Sequence, residues 1–236
     1  MFDRITYKET ARMQLRGRWA FPVVMTLIVL VLLSLIKTLN HLGGARTETA
    51  TAGSWYIVYR GSALAISLIG VAIAGILDLA QTHVYLRLAR TDGKATFDDF
   101  LHGLSFWLSG ALGGLWFVLW TFLWSLLFVI PGIVKAIAYS QMPFVLAEYP
   151  DIGVRKAMHI SKLLTRGHKG DLFVMRLSFL GWAILCALSC GIGTLWLAPY
   201  MNTSFLNAYF ALKNMAIATN VLSPADFAPK EEDKTV

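Results

Sequence analysis

Side chains that could do chemistry are few in this sequence and widely scattered. The five histidines, His41, His83, His102, His159 and His168, are not spaced as metal ligands and do not flank a nucleophile. GxSxG, HExxH, CxxC and a phosphate-binding glycine loop are all missing from the sequence. Asp98 and Asp99 are neighbours in sequence, and adjacent residues on a helix diverge, so a helix start explains them better than an acid–base pair. Cys186 and Cys190 are four apart in an apolar run. Helical spacing would hold their Cβ atoms about 5–6 Å apart, too far for an unstrained disulfide, and both read as small buried residues. The expectation is a protein that is not an enzyme, with no catalytic residue, no metal and no cofactor.

Three other groups of residues are more informative. Asp78 and Arg176 lie inside apolar runs, where a charge at mid-membrane costs about 2.5–3.5 kcal/mol. That cost predicts that they face one another within a helix bundle. Tyr200, Asn202, Thr203, Ser204 and Asn207 follow Pro199 as a dense polar patch that lipid would disfavour. Tyr139, Ser140 and Gln141 are placed to meet it, so Tyr139, Gln141, Asn202 and Asn207 are expected to line a polar interior. Such an interior serves equally as interhelical glue or as a binding pocket. The third group is Arg155, Lys156, Lys162, Arg166 and Lys169, on a basic amphipathic helix expected to start after an Asp151 N-cap. Lying flat at a membrane surface, each basic residue would contribute about 1 kcal/mol towards anionic headgroups. The simpler alternative is that these charges only hold the segment on the inner side.

The elements that must position these residues are membrane helices. The 236 residues are 56% hydrophobic and 15% charged, with the apolar residues in long runs. A soluble domain is about 45–50% apolar and 25% charged, so the chain is read as all-α, a polytopic membrane helix bundle. Apolar runs fall at 21–39, 62–82, 104–129, 133–147, 172–189 and 194–212, the fourth short and interrupted by Pro143. Pro131-Gly132 offers a sharp turn before it. Thr6 and Thr96 each begin a capping-box spacing, predicting helix starts at Tyr7 and Phe97. The stretch 41–59 reads as a polar loop, and 87–94 as a basic loop turning at Asp92-Gly93. Gly110 and Gly114 have a close-packing spacing, and Trp116, Trp120 and Trp124 share a face that reads as helix packing.

With six spans and the N-terminus inside, seventeen of the 21 Lys and Arg residues fall on the inner side. Leaving 133–147 outside gives eight, so the positive-inside rule selects six. A weak repeat of layout supports this: Leu15-Arg16-Gly17, Leu101-His102-Gly103 and Thr165-Arg166-Gly167 each end a short polar helix before a hairpin. The expected architecture is six spans as three helical hairpins, with short interfacial amphipathic helices on the cytoplasmic side. Residues 1–215 form a single transmembrane domain and 216–236 a disordered cytoplasmic tail. The net charge of +7, placed between the apolar runs, points to the lipid bilayer and its anionic phospholipids rather than to nucleic acid, with an unknown membrane-protein partner also open.

Several of these stretches resemble one bacterial integral-membrane family, domain of unknown function 975. They are 11–19 (ARMQLRGRW), Leu88-Ala89-Arg90 with 97–100 (FDDF), 130–140 (IPGIVKAIAYS), 160–182 (ISKLLTRGHKGDLFVMRLSFLGW) and Pro199-Tyr200. The resemblance covers residues 3 to 212. It implies a multi-pass protein of the bacterial cytoplasmic membrane and brings no activity and no site residues. The leading expectation is a non-catalytic scaffold or accessory component with a basic face that binds anionic lipid or a partner. The alternative is a small transporter or lipid-handling protein. A cavity joining Asp78, Arg176 and Asn202 would favour the alternative, and a dry, closed bundle the scaffold.

Overall fold

The computed structural model describes residues 2–45, 55–91, 95–127 and 129–228. In chain order the helices are α1 (Arg4–Leu15), α2 (Ala20–Ala45), α3 (Trp55–Arg90), α4 (Phe97–Ser105), α5 (Trp107–Leu127), α6 (Val129–Tyr139), α7 (Met142–Glu148), α8 (Val154–Leu164), α9 (Lys169–Leu177), α10 (Leu180–Leu188) and α11 (Thr194–Ala218). Short 3-10 turns cover Pro150–Ile152 and Pro224–Phe227, and the described residues contain no strand. Among the described residues, five segments are long and apolar enough to cross a membrane: Ala20–Thr38, Ala65–Arg90, Trp107–Leu126, Ile130–Glu148 and Lys169–Leu188. The sixth apolar run became most of α11, which is long enough but does not meet the same measure of apolarity.

Most helix starts follow local chemistry, sometimes through a different residue from the one expected. The first helix begins at Arg4 because Asp3, not Thr6, is its N-cap: the Asp3 carboxylate accepts from the backbone N–H groups of Ile5 and Thr6 and from the Thr6 hydroxyl. These bonds hold the Asp3 carboxyl below its ordinary pKa, the Thr6 hydroxyl contributing most. The Thr96–Asp99 capping box is present and opens α4, which runs on to Ser105. The N-cap of α8 is Gly153, at φ +79°, while Asp151 sits in the preceding 3-10 turn. Parts of the expected loops are helical, since α2 reaches Ala45 and α3 runs from Trp55 to Arg90; Asp92-Gly93 lies outside the described residues.

The tightest seam is between α3 and α5. A Cβ on Gly75 would lie 2.4 Å from the Gly110 carbonyl oxygen and 3.0 Å from the Gly114 Cα. The Gly110/Gly114 spacing therefore has its partner, and the two backbones touch there. Gly103 repeats the device lower down, its missing Cβ facing the Ala80 Cα at 2.8 Å.

Pro131-Gly132 is not the turn it resembled. Both residues sit inside the first turn of α6, where a proline costs little because its missing N–H has no helical partner. Gly132 instead lets α6 close on α5, since a Cβ there would meet the Ser125 Cα at 2.9 Å. The fourth span is broken between α6 and α7 at Ser140-Gln141, just before Pro143. The fifth is broken at Ser178-Phe179, between α9 and α10.

The last hairpin is short. Parallel to α3, α11 has Asn202 beside Tyr85 and Phe210 under the Arg90 guanidinium. At about 1.5 Å per residue, Thr194 ends about 12 Å beyond Asn202, whereas α3 continues about 30 Å beyond Tyr85 to Ala65. The α10–α11 turn therefore stops near the mid-length of the bundle. Cys190 lies in that turn at φ +53° and is exposed, unlike its expected burial, while Cys186 is buried.

The tail also differs from its expected disorder over 216–228. After α11 ends at Ala218, Leu222 and Phe227 are buried and Phe227 packs 5.1 Å from the Tyr149 ring. Ser223 and Asp226 form a further capping box. Residues 229–236 lie outside the described residues.

Candidate functional site

A cavity of about 680 Å³ lies where α2, α3, α5, α7, α9 and α11 meet. Along α3 it extends from Val71 to Thr82, about 16 Å of helix rise. Most of its wall is apolar, from Val29 and Leu33 on α2 to Phe205 on α11, and Gly110, Gly113 and Gly114 of α5 form part of it. Polar groups enter from three helices and a helix break: Asp78 and Gln81 from α3, Ser140 from the α6–α7 break, Arg176 from α9 and Asn202 from α11. The size falls within the roughly 300–1,000 Å³ of small-molecule sites, and a largely apolar wall with a few polar groups is their usual make-up.

Asp78 lies deeper than its sequence position suggested, because α3 continues to Arg90 and leaves it midway along the span Ala65–Arg90. Its carboxylate opens onto the cavity. Arg176 lies on the same cavity with its guanidinium 5.3 Å above the Phe205 ring. The ion pairs among the described residues do not include one between Asp78 and Arg176, so both charges face the shared space.

The four residues expected as a polar interior separate into three places. Asn202 lines the cavity. Asn207 turns away to α1, where its side-chain amide donates to the Gln14 side-chain oxygen at 2.9 Å. Tyr139 and Gln141 turn towards α8: the Gln141 backbone N–H donates to the Ser161 hydroxyl at 3.2 Å, and the Lys162 ammonium lies 5.5 Å over the Tyr139 ring. Gln141 reaches the cavity only indirectly, by donating to the Ser140 hydroxyl at 3.1 Å.

The basic helix is α8 and its continuation. Ala157, Met158, Ile160, Ser161 and Leu164 form its buried face. Arg155, Lys162 and Arg166 are exposed, while Lys156 and Lys169 are half-buried. Several of these cations are already engaged: Arg155 stacks 5.4 Å from Trp116, and Lys156 donates to the Ala228 carbonyl at 2.8 Å. Of the tryptophan face, Trp116 packs on α8, its indole N–H also directed at the Met158 sulfur, while Trp124 lies under the Lys135 ammonium of α6.

A buried cluster about Glu148 was not singled out in the sequence. Lys213 donates to its carboxylate at 2.6 Å, Arg90 pairs with the same oxygen, and the Tyr209 hydroxyl donates to the other. The available signal was that Arg90, Glu148 and Lys213 each close a long helix or apolar run on the same predicted side. Among the described residues, no three His, Cys, Asp or Glu side chains converge on a common point.

A helical bundle with five candidate membrane spans among the described residues and a cavity lined by both Asp78 and Arg176 is the class of protein that fold and site define. Residues 108–216 match the family described as Protein of unknown function (DUF975), the family that the sequence motifs resemble. The match runs from α5 almost to the end of α11. No curated protein and no solved structure matches the chain.

Proposed function

We propose that the protein is a non-catalytic membrane protein that binds, and passes or presents, a small molecule through the polar interior of its bundle. The observation that carries this is the cavity that joins Asp78, Arg176 and Asn202. Opposite charges that face one cavity without pairing suit a ligand with its own complementary charges, and the apolar wall suits a ligand with a hydrocarbon part. The break in the fourth span supports the same reading, because Ser140 lines the cavity and interrupted membrane helices are tolerated where they border one. The positive-inside count supports both termini on the cytoplasmic side, and the family resemblance supports a bacterial cytoplasmic membrane.

A scaffold role is the second reading, and the exposure of Arg155, Lys162 and Arg166 supports it. It needs anionic lipid or a protein partner on α8, and no use of the cavity.

Mass spectrometry of small molecules extracted from the purified protein separates the two. The wild type should retain a charged amphipathic compound that both Asp78→Asn and Asn202→Leu release. Extracts identical across folded wild type and both variants would overturn the cavity reading.

A further inference from the structure

A second, smaller cavity of about 400 Å³ opens beside the short hairpin, away from the central one. Its walls are Trp19, Trp182, Leu185, Trp196, Leu197 and Tyr200, with Arg12 the one charged residue on it. Trp182, Leu185 and Trp196 are about half exposed, so the groove faces outward from the bundle. The Arg12 guanidinium lies 5.5 Å over the Tyr200 ring at its polar end. None of the ion pairs among the described residues involves Arg12. Its helix is strongly basic, with Arg4, Lys8 and Arg12 against Glu9 and Arg16 following as its C-cap.

We propose that this groove binds one anionic phospholipid, its phosphate at Arg12 and an acyl chain along Trp182, Leu185 and Trp196. Three facts point to that occupant. The wall is apolar and outward-facing in a chain built of membrane helices, so hydrocarbon is what surrounds it. The single charge is a cation at one end, which matches an amphiphile with an anionic head and hydrocarbon chains. The hairpin tip stops at mid-bundle, so the groove spans a depth from the α1 level to the bilayer interior, the depth that one acyl chain occupies. The site is distinct from the basic face of α8 and rests on neither functional reading above.

The test uses the full chain in detergent, titrated with phosphatidylglycerol carrying a brominated acyl chain, which quenches tryptophan on contact. Quenching should be saturable, and phosphatidylcholine with the same brominated chain should need about fivefold more lipid, the factor that one basic residue contributes at an anionic headgroup. Arg12→Gln should remove that preference, and Arg12→Lys should keep most of it. Leu197→Phe fills the groove without changing charge and should abolish saturation, which keeps the test alive if Arg12→Gln fails to fold. Trp182→Phe with Trp196→Phe should remove most of the quenched signal. Equal response to the two lipids, or saturation unaffected by Leu197→Phe, would overturn the proposal. So would a dimer in native mass spectrometry that Leu197→Phe dissociates, because a second copy of the chain would then own the groove.

Discussion

Lys213 holds its ammonium 2.6 Å from the Glu148 carboxylate, whose side chain is only 6% exposed. Arg90 and Tyr209 reach the same carboxylate, so the ends of α3 and α7 and the lower half of α11 share one buried anion. Glu148→Gln would leave two cations facing each other with little water between them. Breaking a buried pair from one side costs about 3–5 kcal/mol, so the variant should unfold at clearly lower temperature in detergent. Adding Lys213→Met should recover part of the loss. A Glu148→Gln protein that melts like the wild type would show that the cluster holds nothing together.

The α3–α5 seam predicts a sharp contrast between two glycines on one helix. Gly75→Ala places a methyl 2.4 Å from a backbone oxygen, and no side chain there can move aside. Gly70→Ala meets only the Ile36 side chain, at an ordinary 3.6 Å. Gly75→Ala should cost at least the 1–3 kcal/mol typical of overpacking, and Gly70→Ala should be neutral or slightly stabilising. Equal melting temperatures for the two variants would refute the close approach.

Docking of α1 carries a pH signature. Lys8 reaches the α9–α10 break, donating to the Ser178 hydroxyl at 2.6 Å and lying 4.1 Å over the Phe179 ring. Burial, and then the nearby Arg4 and Arg12 charges, push the Lys8 ammonium below its ordinary pKa. In the window between the lowered and the ordinary value, the folded protein binds fewer protons than the unfolded chain. Stability should therefore rise with pH across that alkaline window. Lys8→Met should flatten that rise, as measured by thermal melts at a series of alkaline pH values. A rise of unchanged slope in the variant would assign it to another group.

Topology can be read with single cysteines in a background in which Cys186 and Cys190 are Ser. Gly132 is unsuitable, because it is packed against Ser125. Ile130→Cys, 75% exposed, should react with an impermeant maleimide from outside, and Lys162→Cys only after permeabilisation. Ile192→Cys tests the short hairpin: its side chain is exposed in the structure yet should stay unlabelled from both sides until detergent is added. Labelling of Ile192→Cys together with Ile130→Cys would mean that the last hairpin crosses fully.

The sequence was a good guide wherever composition or local chemistry decides. Run length and hydropathy give the helical membrane class, the Thr96–Asp99 box gives the start of α4, and the Gly110/Gly114 spacing gives a real seam. The buried and exposed faces of α8 also follow from its periodicity. What stayed hidden depends on the level at which helices pack. Asp78 and Arg176 share a cavity because α3 is longer, and the last hairpin shorter, than their apolar runs suggest. Asn202 and Asn207 point about 140° apart around α11, so its period separates them, but which neighbour each one meets, the cavity or α1, is set by packing. Glu148, Lys213 and Arg90 are far apart in sequence, so their convergence is a property of the assembled bundle.

Gly75 belongs both to the α3–α5 seam and to the lining of the central cavity. Backbone in contact with backbone has no rotamers to change, so that side of the cavity works as a fixed anvil. The opposite side is carried by α9 and α11, joined through a helix break and through the short α10, whose surface is mostly exposed. An occupant larger than the resting space therefore finds no give at the seam and has to be met by the side chains of α2, α7, α9 and α11. Lys8, docked on the Ser178-Phe179 break, ties the basic helix at the N-terminus to the segment that carries Arg176.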